Sequence, residues 1–148
     1  MTDRPIPEDA WRTVVRNVPI VSVDLIVRHD GGVVLGKREN RPGRGEWFVP
    51  GGRVLKDEAI DDAIDRVARE ELGVAVDVEE RLGVYEHFWE RSEFDDVPTK
   101  HYLVVGVVVR PRSDAFVADD QHAELRIFEA PFPDLHPYVE AYLRDAGL

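Results

Sequence analysis

Between Gly51 and Val74 the chain runs from a glycine pair into an amphipathic segment that ends on a third glycine, Gly73. At about 100° per residue, Ile60, Ile64, Val67 and Glu71 fall on one helical stripe. Asp61, Asp62, Asp65 and Arg69 take the opposite face. The spacing predicts a helix from about Asp57 to Leu72, stopped at Gly73. An apolar stripe of this kind packs on a sheet. Glu71 therefore emerges from the buried face and Glu70 from its edge. A buried carboxylate is costly unless it is paired or holds a metal. That leaves two readings for Glu71: a salt bridge to Arg66 or Arg53, or a metal ligand.

Around this segment the pattern alternates between strands and helices. A short helix opens at Pro7-Glu8-Asp9 and ends before Pro19. Val21 to Arg28 and Val33 to Arg38 read as strands joined by the turn His29 to Gly32. After a glycine- and proline-bearing loop, Trp47-Phe48-Val49 forms a short strand. Val74 to Val78, Leu82 to Trp89, His101 to Arg110 and Leu125 to Phe128 read as further strands, and Tyr138 to Asp145 as a final helix. Several neighbours are hairpins, so the expected fold is mixed α/β: one domain over 1–148, with a mixed sheet between helices.

Composition narrows the function. The chain has no cysteine, which excludes disulfides, thiolate metal sites and cysteine nucleophiles. A net charge of −11 opposes a nucleic-acid surface, which needs clustered cations. No apolar run is long enough to span a bilayer. The N-terminus carries no apolar stretch after its charges, so the expected location is cytoplasmic. The thirty acidic residues stand against sixteen arginines and only three lysines, a balance suited to solubility in concentrated salt.

The glycine–helix segment resembles the Nudix box, G-x(5)-E-x(7)-R-E-U-x-E-E-x-G-U with U apolar. Gly52, Glu58, Arg66, Glu70, Glu71, Gly73 and Val74 match in register, with Ala68 at the inner apolar position. The resemblance implies a Nudix hydrolase with Mg²⁺ as cofactor and a small-molecule substrate. One position departs: the glutamate expected directly after Arg66 is Val67, which cannot ligate a hard cation.

Most of the chain resembles one branch of the family, the GDP-mannose mannosyl hydrolases, which lack the same glutamate. The shared stretches include Thr13 to Arg16, Leu35 to Arg38, Trp47 to Lys56, His101-Tyr102 and Asp120 to His122. This likeness implies hydrolysis of a GDP-hexose at the sugar C1–O bond with inversion. It also implies residue roles. Gly51, Glu71 and Gln121 would hold the metal, and His122 would be the general base. Arg38, Arg53 and Arg66 would gather charge on the diphosphate, with Lys37 nearby, and Tyr102 would hydrogen-bond a phosphate oxygen. Asp24 and His87 would contact the sugar. A homodimer is implied too. The tryptophans Trp11, Trp47 and Trp89 read as packing groups, and His29, His101 and His136 as surface or strand-end residues. Two other functions stay open: an ordinary Nudix pyrophosphohydrolase cleaving a P–O–P bond, and a noncatalytic nucleotide-binding domain.

Overall fold

A computed structural model of the chain describes residues 5–116 and 122–148. In chain order the elements are α1 (Glu8–Asn17), β1 (Ile20–His29), β2 (Gly32–Arg38), β3 (Trp47–Phe48) and β4 (Gly51–Arg53). They continue with α2 (Ile60–Leu72), β5 (Val76–Trp89), β6 (Lys100–Pro111), β7 (His122–Phe128) and α3 (Pro137–Asp145). The strands form one mixed sheet in the order β3-β2-β1-β6-β5, with β4 also on β1 and β7 also on β2. Only β1 and β6 run parallel among the pairs of the sheet.

The alternation of β1 sets the layers. Val23, Leu25 and Val27 join Ala63, Ile64, Val67, Ala68 and Leu72 of α2 in one core. Ile26, on the other face, packs with Phe48, Val49 and the Val139, Tyr142 and Leu143 side chains of α3. A third cluster seats α1 through Val15 and Ile20 on Phe94 and Val97. Because side chains alternate across a strand, Ser22 and Asp24 share the α3 side with Ile26.

One edge of β1 pairs with β6 from Ile20 to Val27, but its other edge changes partner. Val27 to His29 pair with β2, while Ser22 to Asp24 pair with β4. The sheet thus splits beside Asp24, and the glycine pair fills the split. A Cβ at Gly51 would fall on the Asp24 carboxylate, and one at Gly52 would lie 3.1 Å from Val67 Cγ2. One glycine lets the strand approach the site, and the other lets α2 approach the strand.

Three sequence expectations shift. The second helix begins at Ile60 rather than Asp57, because Asp57 adopts φ 67° and Glu58 turns its carboxylate back onto Leu55 N at 3.0 Å. The two strands expected on either side of Glu79-Glu80-Arg81 are one, β5, whose extra residues are absorbed at register shifts against β6. β4, Gly51–Arg53, is a strand that the pattern did not predict, three residues being too few to show alternation. Gly73 ends α2 as expected, at φ 73°.

Candidate active site

A cavity of about 380 Å³ opens beside the paired segments of β1 and β4, walled by α1, α2, β5, β6 and the loop after β2. Of the residues singled out from sequence, it brings together Asp24, Arg38, Gly51, Arg53, Arg66, Glu71, His87 and Tyr102. Lys37 does not line it. It alternates with Arg38 on β2 and is exposed on the other side of the strand, so a diphosphate role for Lys37 lacks geometric support. His122 pairs with Arg38 in the β2–β7 register, and Gln121 lies outside the described residues.

The α2 face matches the wheel: Ile64, Val67, Glu71 and Leu72 are buried, while Asp61, Asp62, Asp65 and Arg69 are exposed. Of the two readings for Glu71, the salt bridge does not form. Arg66 gives its guanidinium elsewhere, to both Glu58 oxygens at 2.8 and 3.0 Å, to Glu70 at 3.0 Å and to the Arg53 carbonyl at 2.8 Å. That knot leaves Arg66 little capacity for a diphosphate and makes it an anchor for Glu58, Glu70 and β4, a different task from the one read from sequence. Its guanidinium is held above the usual range chiefly by the Glu58 hydrogen bonds.

Glu71 is 4% exposed, and its Oε1 is one of two buried side-chain polar atoms with no hydrogen bond among the described residues. Leaving such an oxygen unpartnered costs on the order of 1–3 kcal/mol or more for a charged group. A hard cation with oxygen ligands satisfies it, and Gly51, with its backbone carbonyl, lines the same cavity. The donor set therefore fits Mg²⁺ with few protein ligands. Among the described residues, no three His, Cys, Asp or Glu side chains cluster as a metal cage.

Part of the cavity lining is a buried polar corner. Asp24 is buried and accepts a 2.7 Å hydrogen bond from the Tyr142 hydroxyl. Burial pushes its carboxyl up to about 7, against the lowering influence of Tyr142 and Arg38. His87, also buried, stacks on Tyr138 with ring centroids 4.0 Å apart. Burial drives its imidazole down to about 4, with His136 adding to the effect, so it is neutral near pH 7.

A second group of lining residues is charged. Lys100, 5% exposed, binds Glu93 at 3.0 Å and lies over the rings of Trp11 and Tyr102. Trp11 Nε1 donates to Glu93 at 2.9 Å, and Arg53 lies over the same indole at 5.6 Å. Trp11 is therefore a wall of the site as well as a packing group, which corrects the reading from sequence. Arg12 and Arg16 pin α1 to Asp96, and Arg41 reaches Asp95 at 2.8 Å. Arg38 is aimed by a 2.8 Å bond from its Nε to the Pro42 carbonyl.

Sequence reasoning missed Tyr142, Glu93 and Lys100. Tyr142 had one signal: Gly106 interrupts a run of β-branched residues in β6, and a glycine inside a strand marks a close approach. A Cβ there would sit 3.0 Å from the Tyr142 ring. Glu93 and Lys100 had none, since they lie at opposite ends of a loop that only the fold closes.

The chain is similar to known proteins along nearly its whole length. It is 54% identical over 144 residues to the low-salt glycan biosynthesis protein Agl8 of Haloferax volcanii, covering 95% of this chain and 92% of that one. It is 32% identical to an ADP-ribose pyrophosphatase of Methanocaldococcus jannaschii over 75% of this chain and 62% of the relative. Among solved structures, a MutT Nudix hydrolase from Burkholderia pseudomallei superposes with a TM-score of 0.69 at 27% identity, covering 86% of this chain and 97% of that one. The model of the Nudix domain matches residues 18–143. With the box in register on β4 and α2, the chain belongs to the Nudix hydrolase family.

Proposed function

We propose that this cavity hydrolyses a GDP-hexose, GDP-mannose or GDP-glucose, at the sugar C1–O bond with inversion, using Mg²⁺. The observation that carries the reading is Val67. It stands where the box has a glutamate, and it is buried against Gly52 in the α2 core. Glu71 is thus the α2 carboxylate left with an unpartnered buried oxygen, while Glu58 and Glu70 are tied to Arg66. A cation bound by Glu71, the Gly51 carbonyl and Gln121 would neutralise charge on the diphosphate and improve it as a leaving group.

The chain's own groups do the rest. Arg38 and Arg53 gather charge developing on the diphosphate, and Tyr102 donates to a phosphate oxygen. Asp24 and His87 hold the sugar at the buried polar corner. His122 accepts a proton from water as the water oxygen bonds to C1 and the GDP oxygen leaves with the electron pair. A single displacement inverts the anomeric centre. A nucleotide-sugar substrate agrees with the printed role of the Haloferax relative in glycan biosynthesis. A homodimer belongs to the same proposal, as does a cytoplasmic setting, for which no helix of the described residues is long and apolar enough to cross a membrane.

The test is product identity. Incubation with GDP-mannose, GDP-glucose and ADP-ribose plus Mg²⁺ should release GDP and free hexose from one or both GDP-sugars. GMP with a sugar phosphate would replace this reading by the pyrophosphohydrolase one. Binding without turnover would replace it by a nucleotide-binding domain.

A further inference from the structure

Asp24 stands opposite a glycine on each neighbouring strand, Gly51 on β4 and Gly106 on β6. Both glycines give up a side chain to the same end. A Cβ at Gly51 would collide with Asp24 Oδ1, and one at Gly106 would crowd the ring of Tyr142 and that of Tyr85, each at 3.0 Å. Through the space over Gly106, Tyr142 reaches from α3 across the core and donates to Asp24 Oδ2 at 2.7 Å. Tyr142 is fully buried, is not itself among the residues lining the cavity, and is held edge-on by Tyr85 at 4.6 Å.

The hydroxyl serves two neighbours. Its oxygen lies 3.4 Å from His87 Nε2, and its single proton is committed to Asp24. With that proton on Asp24, the oxygen can accept from His87 in the tautomer that carries its proton on Nε2. One hydroxyl thus orients both groups assigned to the sugar.

We propose that Tyr142 is a positioning residue for sugar selectivity. By tying Oδ2, it stops the Asp24 carboxylate rotating and leaves Oδ1, beside Gly51, as the one oxygen that accepts from a sugar hydroxyl. An acceptor fixed in place rewards one hydroxyl orientation and leaves the epimer's hydroxyl unpaired. A carboxylate free to turn follows either. The inference rests on the assignment of Asp24 to the sugar in the function proposed above.

The experiment compares kcat/KM for GDP-mannose and GDP-glucose in the wild type, Tyr142→Phe, Asp24→Ala and the double variant, with products identified in each reaction. Phenylalanine keeps the packing and removes only the hydroxyl. For Tyr142→Phe the expected loss is about 10-fold on the preferred sugar and under about 2-fold on its epimer, the size of one charged hydrogen bond. In the Asp24→Ala background, Tyr142→Phe should change the ratio no further, since the two act as a unit. Equal losses on both sugars would overturn the inference, as they report a structural role alone. A selectivity ratio of Asp24→Ala equal to that of the wild type would overturn it too, and that arm does not depend on the tyrosine variant folding. GMP among the products would sink the proposed bond cleavage and leave the epimer ratio still able to judge Tyr142.

Discussion

Asp24 and Glu93 line one cavity, yet their carboxyl groups move in opposite directions. Asp24 is buried among Tyr142, His87 and two glycines, with Arg38 acting on it only weakly, and it is pushed up to about 7. Glu93 is also raised by burial, but the Trp11 N–H and the Lys100 ammonium outweigh that and hold it below the usual range. The difference is a cation in direct contact. Burial with a contacting cation gives a permanent ion pair that braces α1 on the loop after β5. Burial with only a phenol gives a corner of near-neutral donors and acceptors, suited to hydroxyls rather than phosphates. The residues proposed to serve the diphosphate and its metal, Arg38, Arg53 and Glu71, line the same cavity.

If this division of labour holds, the largest effect falls on neither corner. His122→Ala should slow turnover by about 10²–10⁴-fold, the usual size of a general-base contribution, with Mg²⁺ binding largely intact. Single-turnover rates beside magnesium titrations check both. A loss of magnesium affinity equal to the loss of rate would move His122 into the metal site.

Next in size is the contrast along α2. Glu71→Gln should cost on the order of 10²–10³-fold in kcat, as for a lost transition-state electrostatic partner. Glu70→Gln should cost far less, because Glu70 faces Arg66 at 3.0 Å. Magnesium titrations of both variants decide it, and equal losses would contradict a metal site built on one α2 carboxylate.

The buried polar corner also makes a signed prediction about pH and the stability of the metal-free protein. Asp24 is shifted from 3.8 to about 7, so between these values the folded state binds a proton that the unfolded state has lost, and stability falls as pH rises. His87 is shifted from 6.5 to about 4, so in that window the unfolded state binds the extra proton, and stability rises with pH. Each effect is about 3–4 kcal/mol at 1.36 kcal/mol per pKa unit, and in the wild type they largely cancel. Denaturant titrations from pH 4 to 7 should show stability rising in Asp24→Asn and falling in His87→Gln. Slopes of the same sign in both variants would break the comparison.

The smallest effect is global. Screening of the thirty acidic residues should raise the melting temperature by a few degrees from low salt to molar KCl. A flat or falling melting temperature would remove the saline reading of the composition.

Much of this was legible in the chain because local rules set it. The period of α2 placed Glu71 among Ile64 and Val67 on the buried face, and Gly73 fixed where the helix stops. Asp24 was singled out only through the family likeness, and nothing local said that it would face α3 or what it would meet there. Tyr142 lies 118 residues away and arrives only because α3 packs over Gly106. Arg66 misled for the same reason. The family likeness placed it on the diphosphate, but the turn at Asp57 carries Glu58 back to bind it. The bulges that merge two expected strands into β5 are set by pairing with β6, which a pattern read along one strand does not contain.

The central claim is that water attacks the sugar carbon and not phosphorus, and ¹⁸O-labelled water tests it most directly. Hydrolysis of the preferred GDP-hexose should place the label in the sugar and leave GDP unlabelled, with the β anomer released first from an α-linked substrate. Label in a phosphate of either product would contradict the account and assign the site to pyrophosphate cleavage.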